Sequence, residues 1–160
     1  MVKKITAPLS ENITRTLHAG DEVLLSGVIY TARDMAHNRL VDLLRKGEKM
    51  PFDFEGSVIY YVGPSPAPPG KAIGSAGPTS SYRMDFFVND MFAAGMRGMI
   101  GKGQRSDSVR ASIKENCGIY FGATGGAAAL ISKSITKSEI IAFNDLGTEA
   151  IRRLHIKDMP

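Results

Sequence analysis

The sequence predicts an α/β domain, and three observations carry that prediction. Two apolar runs of strand length, VLLSGVIY (Val23–Tyr30) and SVIYYVG (Ser57–Gly63), are separated by a segment with apolar residues at helical spacing. The same alternation of strand and helix patterns continues to the end of the chain. With 160 residues, 43% of them apolar and 22% charged, the composition is that of one globular domain, residues 1–160, burying roughly two-thirds of its unfolded surface.

Taken in order, Met1–Thr16 alternates weakly and reads as an edge strand, and HAGDE (His18–Glu22) reads as a turn before the Val23–Tyr30 strand. In Thr31–Gly47, Ala36, Leu40, Leu43 and Leu44 set a helical stripe, and Gly47 is placed to end it. The Ser57–Gly63 strand runs into a proline-rich surface turn, GPSPAPPG (Gly63–Gly70). A further stripe, Met84, Phe87, Met91 and Phe92, predicts a helix to Ala94 with Gly95 as its stop. A short strand follows within Arg97–Gln104, then a helix over Ser106–Gly118 capped by Ser106, and a strand at Ile119–Ala123. Thr124–Ser134 reads as a glycine turn into a small-residue helix. Glu139–Phe143 and Arg152–Ile156 complete the set as strands.

Composition also excludes function classes. No apolar run approaches the ~20 residues of a membrane span, and MVKKITAPLSEN lacks the apolar core of a signal peptide, so a cytoplasmic, membrane-free protein is expected. The single cysteine, Cys117, allows neither an internal disulfide nor a multi-cysteine metal site within the chain. Twenty Lys and Arg against 16 Asp and Glu give a net charge of +4, but no basic run exceeds a pair and no aromatic residues interleave. That argues against nucleic acid and suits an acidic small molecule or an acidic partner surface.

The chemistry concentrates in GSAGPTSSYRMD (Gly74–Asp85). Pro78 suits a helix entry because it fixes φ and needs no amide donor. Thr79, Ser80 and Ser81 place hydroxyls where the first helical amides lack partners, and Arg83 lies one turn beyond Thr79. Free amides, the positive end of the helix dipole and a guanidinium together suit a carboxylate or phosphate. A second element, ARDMAH (Ala32–His37), opens a helix directly after a strand, with Arg33 and His37 a turn apart and able to face one ligand. A third, GKG (Gly101–Gly103), lets the backbone turn sharply around Lys102. GATGG (Gly122–Gly126) lacks the glycine spacing of a dinucleotide fingerprint and reads as a close-packed turn.

These elements, in this order, resemble the β region of iron–sulfur-dependent class I fumarate hydratases and L-tartrate dehydratases. GPTSSYRMD is similar to the family's glycine-proline-threonine-threonine and arginine-methionine-aspartate signature, and ARDMAH to its glycine-arginine-aspartate motif, with Ala32 in place of glycine. LGTEAI (Leu146–Ile151) and IKDMP (Ile156–Pro160) extend the likeness from about Gly20 to Pro160. The resemblance implies a swivelling β/β/α domain, with mixed sheet layers and flanking helices. It also implies a β subunit that hydrates fumarate to L-malate, or dehydrates L-tartrate, only with its α subunit.

By the same resemblance Arg33, Arg83 and Lys102 bind the substrate carboxylates, and no acid obviously competes for them. His37 is a fourth candidate, although a helix-packing histidine would look the same. Thr79 stands where the family's threonine is proposed to act on the carbon proton; capping and positioning is the equal alternative. The implied cofactor is a four-iron–four-sulfur cluster, which needs several thiolates that this chain lacks. The cluster is therefore expected on a separate, cysteine-rich α subunit, in an assembly of two α and two β chains. The contrasting expectation is a non-catalytic regulatory or assembly subunit that binds an anionic metabolite.

Overall fold

The computed structural model describes residues 2–64, 69–70, 81–123 and 128–159. The proline-rich turn, the Gly74–Ser80 stretch with Thr79, and the Thr124–Gly126 turn therefore lie largely outside the described residues. Among the described residues seven strands form one mixed sheet: β1 (Lys3–Ala7), β2 (Val23–Thr31), β3 (Val58–Tyr60), β4 (Gly98–Gly101), β5 (Ile119–Gly122), β6 (Ile135–Ala142) and β7 (Ile151–Met159). The sheet order is β5-β4-β3-β2-β7-β6, with β1 also paired to β2. The pairs β1–β2, β2–β3, β3–β4 and β4–β5 are parallel, whereas β7 is antiparallel to both β2 and β6. β1 takes Val23–Gly27 and β3 takes Tyr30 and Thr31, so they share one edge of β2 while β7 occupies the other.

Strand residues point alternately to the two faces, and the core divides accordingly. Ile59, Tyr61 and Met99 join Ala36, Leu40, Met84, Met91 and Val109 on one face. Val58, Tyr60, Val62 and Ile100 join Leu25, Ile29, Ile131 and Leu154 on the other. The first face is covered by α2 (Asp34–Arg45), a 3-10 helix (Ser81–Phe87) continuing into α3 (Val88–Ala94), and α4 (Asp107–Glu115). Ile13 of α1 (Glu11–Arg15) and Ile131 of α5 (Ala128–Lys133) pack against the second. The expected mixed sheet with flanking helices is what the chain forms.

Helix ends follow local chemistry. Gly47 and Gly95 both adopt positive φ where α2 and α3 stop. After α2, the amides of Gly47 and Glu48 return to the carbonyls of Leu44 and Leu43, closing a Schellman arrangement. Ser106 Oγ accepts from the Val109 amide, as its capping position predicts. Three boundaries differ from the sequence reading. The first segment is β1 followed by α1, whose cap is Ser10; its five residues are too few to show a helical period. The Met84 stripe begins as a 3-10 turn before becoming α-helical at Val88. Strands β6 and β7 are longer than expected, and register shifts between Ile135 and Lys137 and between Ile140 and Ala142 break the alternation that would mark them in the sequence.

Candidate active site

The four parallel strands β2 to β5 end at the same edge of the sheet, and the residues that follow those ends converge there. In open α/β sheets this carboxyl edge is where ligand sites form. Arg33 follows β2, Gly63 follows β3, and Lys102 follows β4. Backbone hydrogen bonds extend the ladder past the strands: Ala32 N to Tyr60 O, Tyr61 N to Ile100 O, and Ala123 N to Gly101 O.

Arg33 is half-buried at the N-cap of α2 in an extended conformation. Its side chain lies over Gly63, so closely that a Cβ there would meet Arg33 Nη1 at 3.1 Å. Its Nε is buried without a hydrogen-bond partner, and among the described residues no carboxylate pairs with its guanidinium. Arg83, in the 3-10 helix, is paired: Nη2 donates to Asp34 Oδ2 at 2.9 Å, while Asp34 Oδ1 is buried with no partner among the described residues. Asp34 is thus an acid at the site beside Arg33, where the sequence reading saw no competitor. It was overlooked because only the packing of the 3-10 helix on α2 brings it to Arg83.

Lys102 is half-buried, and among the described residues no acid pairs with it. Its carbonyl accepts from the Ser81 amide at 2.9 Å, which seats the start of the 3-10 helix on the GKG turn. Gly101 makes that contact possible, since a Cβ there would collide with Ser81 Oγ and come within 2.8 Å of Tyr61 Cδ2. The buried Ser81 hydroxyl does not cap the helix; it bonds Tyr120 Oη at 2.6 Å, and Tyr120 donates to Gly103 O at 2.8 Å.

His37 is only 1% exposed. Its ring stacks on Phe87, with centroids 5.3 Å apart, and meets Tyr61 edge-on. Nδ1 donates to the Arg33 carbonyl at 2.7 Å, because a carbonyl can only accept, and this fixes the tautomer. Burial pushes its pKa down to about 4, so the ring is neutral at pH 7. The spacing allows Arg33 and His37 to face one ligand or His37 to pack inside; His37 points inward, where it holds the Arg33 backbone. Thr79 lies outside the described residues, two positions before Ser81.

Sequence reading also missed a buried charge under this edge. Arg105 and Asp85 form an ion pair at 2.7 Å among Tyr61, Tyr120 and Met99. Asp85 belongs to a motif the sequence singled out, but Arg105 follows a glycine turn and carried no local signal.

Among the described residues no three His, Cys, Asp or Glu side chains converge, and Cys117 precedes β5 at the opposite, amino edge. Its Sγ lies 3.4 Å from Glu11 Oε1. No helix among the described residues is long and apolar enough to cross a membrane.

Fold and edge together define an α/β domain that brings arginine and lysine residues to the carboxyl edge of its parallel strands. The chain belongs to the Fumarase C-terminus family, which matches residues 2–160. It is 40% identical over 144 residues to "Fumarate hydratase 2" of Leishmania major, covering 88% of this chain and 25% of that protein. It is 37% identical over 161 residues to "Fumarate hydratase class I, aerobic" of Escherichia coli K12, covering 99% and 28%. A "Putative L(+)-tartrate dehydratase subunit beta" of Methanocaldococcus jannaschii is 33% identical over 155 residues, covering 94% of this chain and 80% of that one. The chain thus spans about a quarter of the length of the fumarate hydratases it matches.

Proposed function

We propose that this chain is the β component of a hydro-lyase that interconverts fumarate and L-malate, working with a separate α chain. The observation that supports this most directly is the gathering of Arg33, Arg83 and Lys102 at one sheet edge in a domain whose relatives carry fumarate hydratase names. A four-carbon dicarboxylate needs cations at both ends, and each charge-assisted hydrogen bond contributes ~1.5–3 kcal/mol. Arg33, with a buried unpartnered Nε, and Lys102, with no acid beside it among the described residues, are the natural carboxylate ligands. Arg83 has further donors after bonding Asp34 and serves as the third. His37 acts through Arg33, whose carbonyl it holds.

On this reading the α chain brings a four-iron–four-sulfur cluster, which supplies the Lewis acid for the hydroxyl. The assembly holds two chains of each kind. Thr79 is the candidate for handling the carbon proton, and all of these residues serve a soluble, cytoplasmic enzyme. The subunit name of the Methanocaldococcus relative supports a separate β chain. The same relative favours a second reading, L-tartrate as substrate.

The test is to purify the untagged chain from its own host under anaerobic conditions and identify what accompanies it. Co-purification of a cysteine-rich, iron-containing chain with fumarate hydration is the expected result. Activity on L-tartrate instead would select the second reading. Tight fumarate binding by this chain without any companion would overturn the split site in favour of an anion-sensing subunit.

A further inference from the structure

We infer that Arg105 is a positioning residue, whose buried guanidinium locks the 3-10 helix and the Lys102 turn into one rigid unit at the carboxyl edge. The inference rests on the hydro-lyase reading for its kinetic consequence, but the mechanical linkage stands on geometry alone.

Arg105 lies between β4 and α4, and its side chain is 2% exposed. Burying a guanidinium is costly, and a buried ion pair seldom stabilises more than apolar residues of the same shape. Here the expense is not even fully offset, since Nη2 has no hydrogen-bond partner among the described residues. What the arrangement supplies is direction. Arg105 Nε donates to Asp85 Oδ1 at 2.7 Å, and the Ser106 amide donates to Asp85 Oδ2 at 3.1 Å. Both oxygens of an acid in the 3-10 helix are thereby tied to the chain leaving β4.

The guanidinium also lies 5.2 Å from the Tyr61 ring centroid and 5.0 Å from that of Tyr120, and Nη1 donates to Tyr61 Oη at 3.2 Å. Tyr120, held this way, bridges Ser81 Oγ and Gly103 O. The Ser81 amide reaches the Lys102 carbonyl between those two anchor points. One buried cation therefore holds the chain that follows Lys102 against the helix that carries Arg83. Asp85 and Ser81 hold that helix from within, and Asp34 meets Arg83 from α2. A ligand with two carboxylates a fixed distance apart requires this separation of cations to be constant, and small misplacements of catalytic groups are expensive.

The experiment compares Arg105→Met and Tyr120→Phe in the reconstituted two-chain enzyme, assayed well below the unfolding temperature of each variant. Arg105→Met should raise KM for the dicarboxylate and lower kcat, with kcat/KM down on the order of tenfold to a hundredfold. Tyr120→Phe removes only the hydroxyl bridge and should raise KM roughly threefold to tenfold. Arg105→Lys, which keeps charge but loses the fork to Asp85, should recover part of the loss.

Amide hydrogen exchange on the isolated chain is the arm independent of catalysis. Both variants should speed exchange at 81–87 and 101–103 while leaving α1 and β7 unchanged. A Tm decrease with unaltered KM, kcat and local exchange would overturn the inference, as would a uniform acceleration of exchange across the chain. If Arg105→Met does not fold, Tyr120→Phe decides by the same two readouts. If the wild-type assembly hydrates no dicarboxylate, the exchange arm still decides the linkage while the hydro-lyase reading fails separately.

Discussion

Arg83 Nη2 donates to Asp34 Oδ2 at 2.9 Å, joining the 3-10 helix to the first turn of α2 directly beside Arg33. The pair is partly open to solvent, so its own stabilisation amounts to no more than ~1 kcal/mol. Its importance is geometric. A guanidinium has five donors, so one bond to Asp34 orients the fork and leaves others for a ligand carboxylate.

The first prediction concerns that fork. Arg83→Lys keeps the charge but loses the planar pair of donors. In the reconstituted enzyme, kcat/KM for fumarate should fall by roughly thirtyfold to a thousandfold, equivalent to ~2–4 kcal/mol of transition-state stabilisation. An unchanged value would place the ligand away from Arg83.

His37 gives a pH signature. Its folded pKa is about 4, depressed by burial, against ~6.5 for a free histidine. The unfolded chain therefore binds more protons between those values. The neutral ring's contribution to stability is complete above pH 6.5 and is lost as pH falls towards 4, in total on the order of 3 kcal/mol. Urea unfolding of the isolated chain at pH 7.5 and pH 4.5 should show this loss, and His37→Phe should reduce it by a similar amount. An NMR titration of His37 with a midpoint near 6.5 would refute the assignment.

Gly101 should not tolerate alanine. A Cβ would strike Ser81 Oγ and crowd Tyr61 Cδ2 at 2.8 Å, and Tyr61 is buried and cannot retreat. Gly101→Ala is expected to cost ~1–3 kcal/mol, seen as a lower urea midpoint with unchanged slope. Because the displaced element is the start of the 3-10 helix, activity should fall in material that is still folded. Wild-type stability in this variant would mean that the Ser81 contact is not rigid.

What the sequence made legible depended on the reach of the interaction. Strands β2 and β3, helices α2 and α4, the Gly47 and Gly95 stops and the Ser106 cap follow from neighbours within one or two turns, and all were readable. Arg33, Arg83 and Lys102 could be singled out because each sits in a glycine-rich or helix-opening context. That they belong to one site came only from the resemblance, since local spacing does not reveal the parallel order of β2 to β5. Asp34 against Arg83 and Arg105 against Asp85 join residues 49 and 20 positions apart, and no local spacing announces either pair. His37 was ambiguous for a different reason: a helix period gives a face, but not whether that face meets a ligand or Phe87.

Thr79 poses the question on which the chemistry turns, and two substitutions separate its possible roles. It lies outside the described residues, but Ser81, two positions on, is buried and bonded to Tyr120, so the Ser81 hydroxyl is not free to serve in its place. Thr79→Ser keeps a hydroxyl; Thr79→Val keeps the shape and removes it. If Thr79 only caps and positions, valine should cost ~1 kcal/mol of stability with a modest fall in turnover. If it transfers the carbon proton, valine should lower kcat by ~10²–10⁴ in folded material, while serine retains much of the rate. A hydroxyl is a weak base at neutral pH, and nearby positive charge lowers the cost of ionising it. If Arg83 and Lys102 stand beside it, as the family likeness implies, their charge favours proton transfer. Substrate deuterated at the abstracted position supplies the check, since a slowed proton step in the serine variant should expose a larger isotope effect. Near-normal turnover in Thr79→Val would remove Thr79 from the proton path and leave that step to the partner chain.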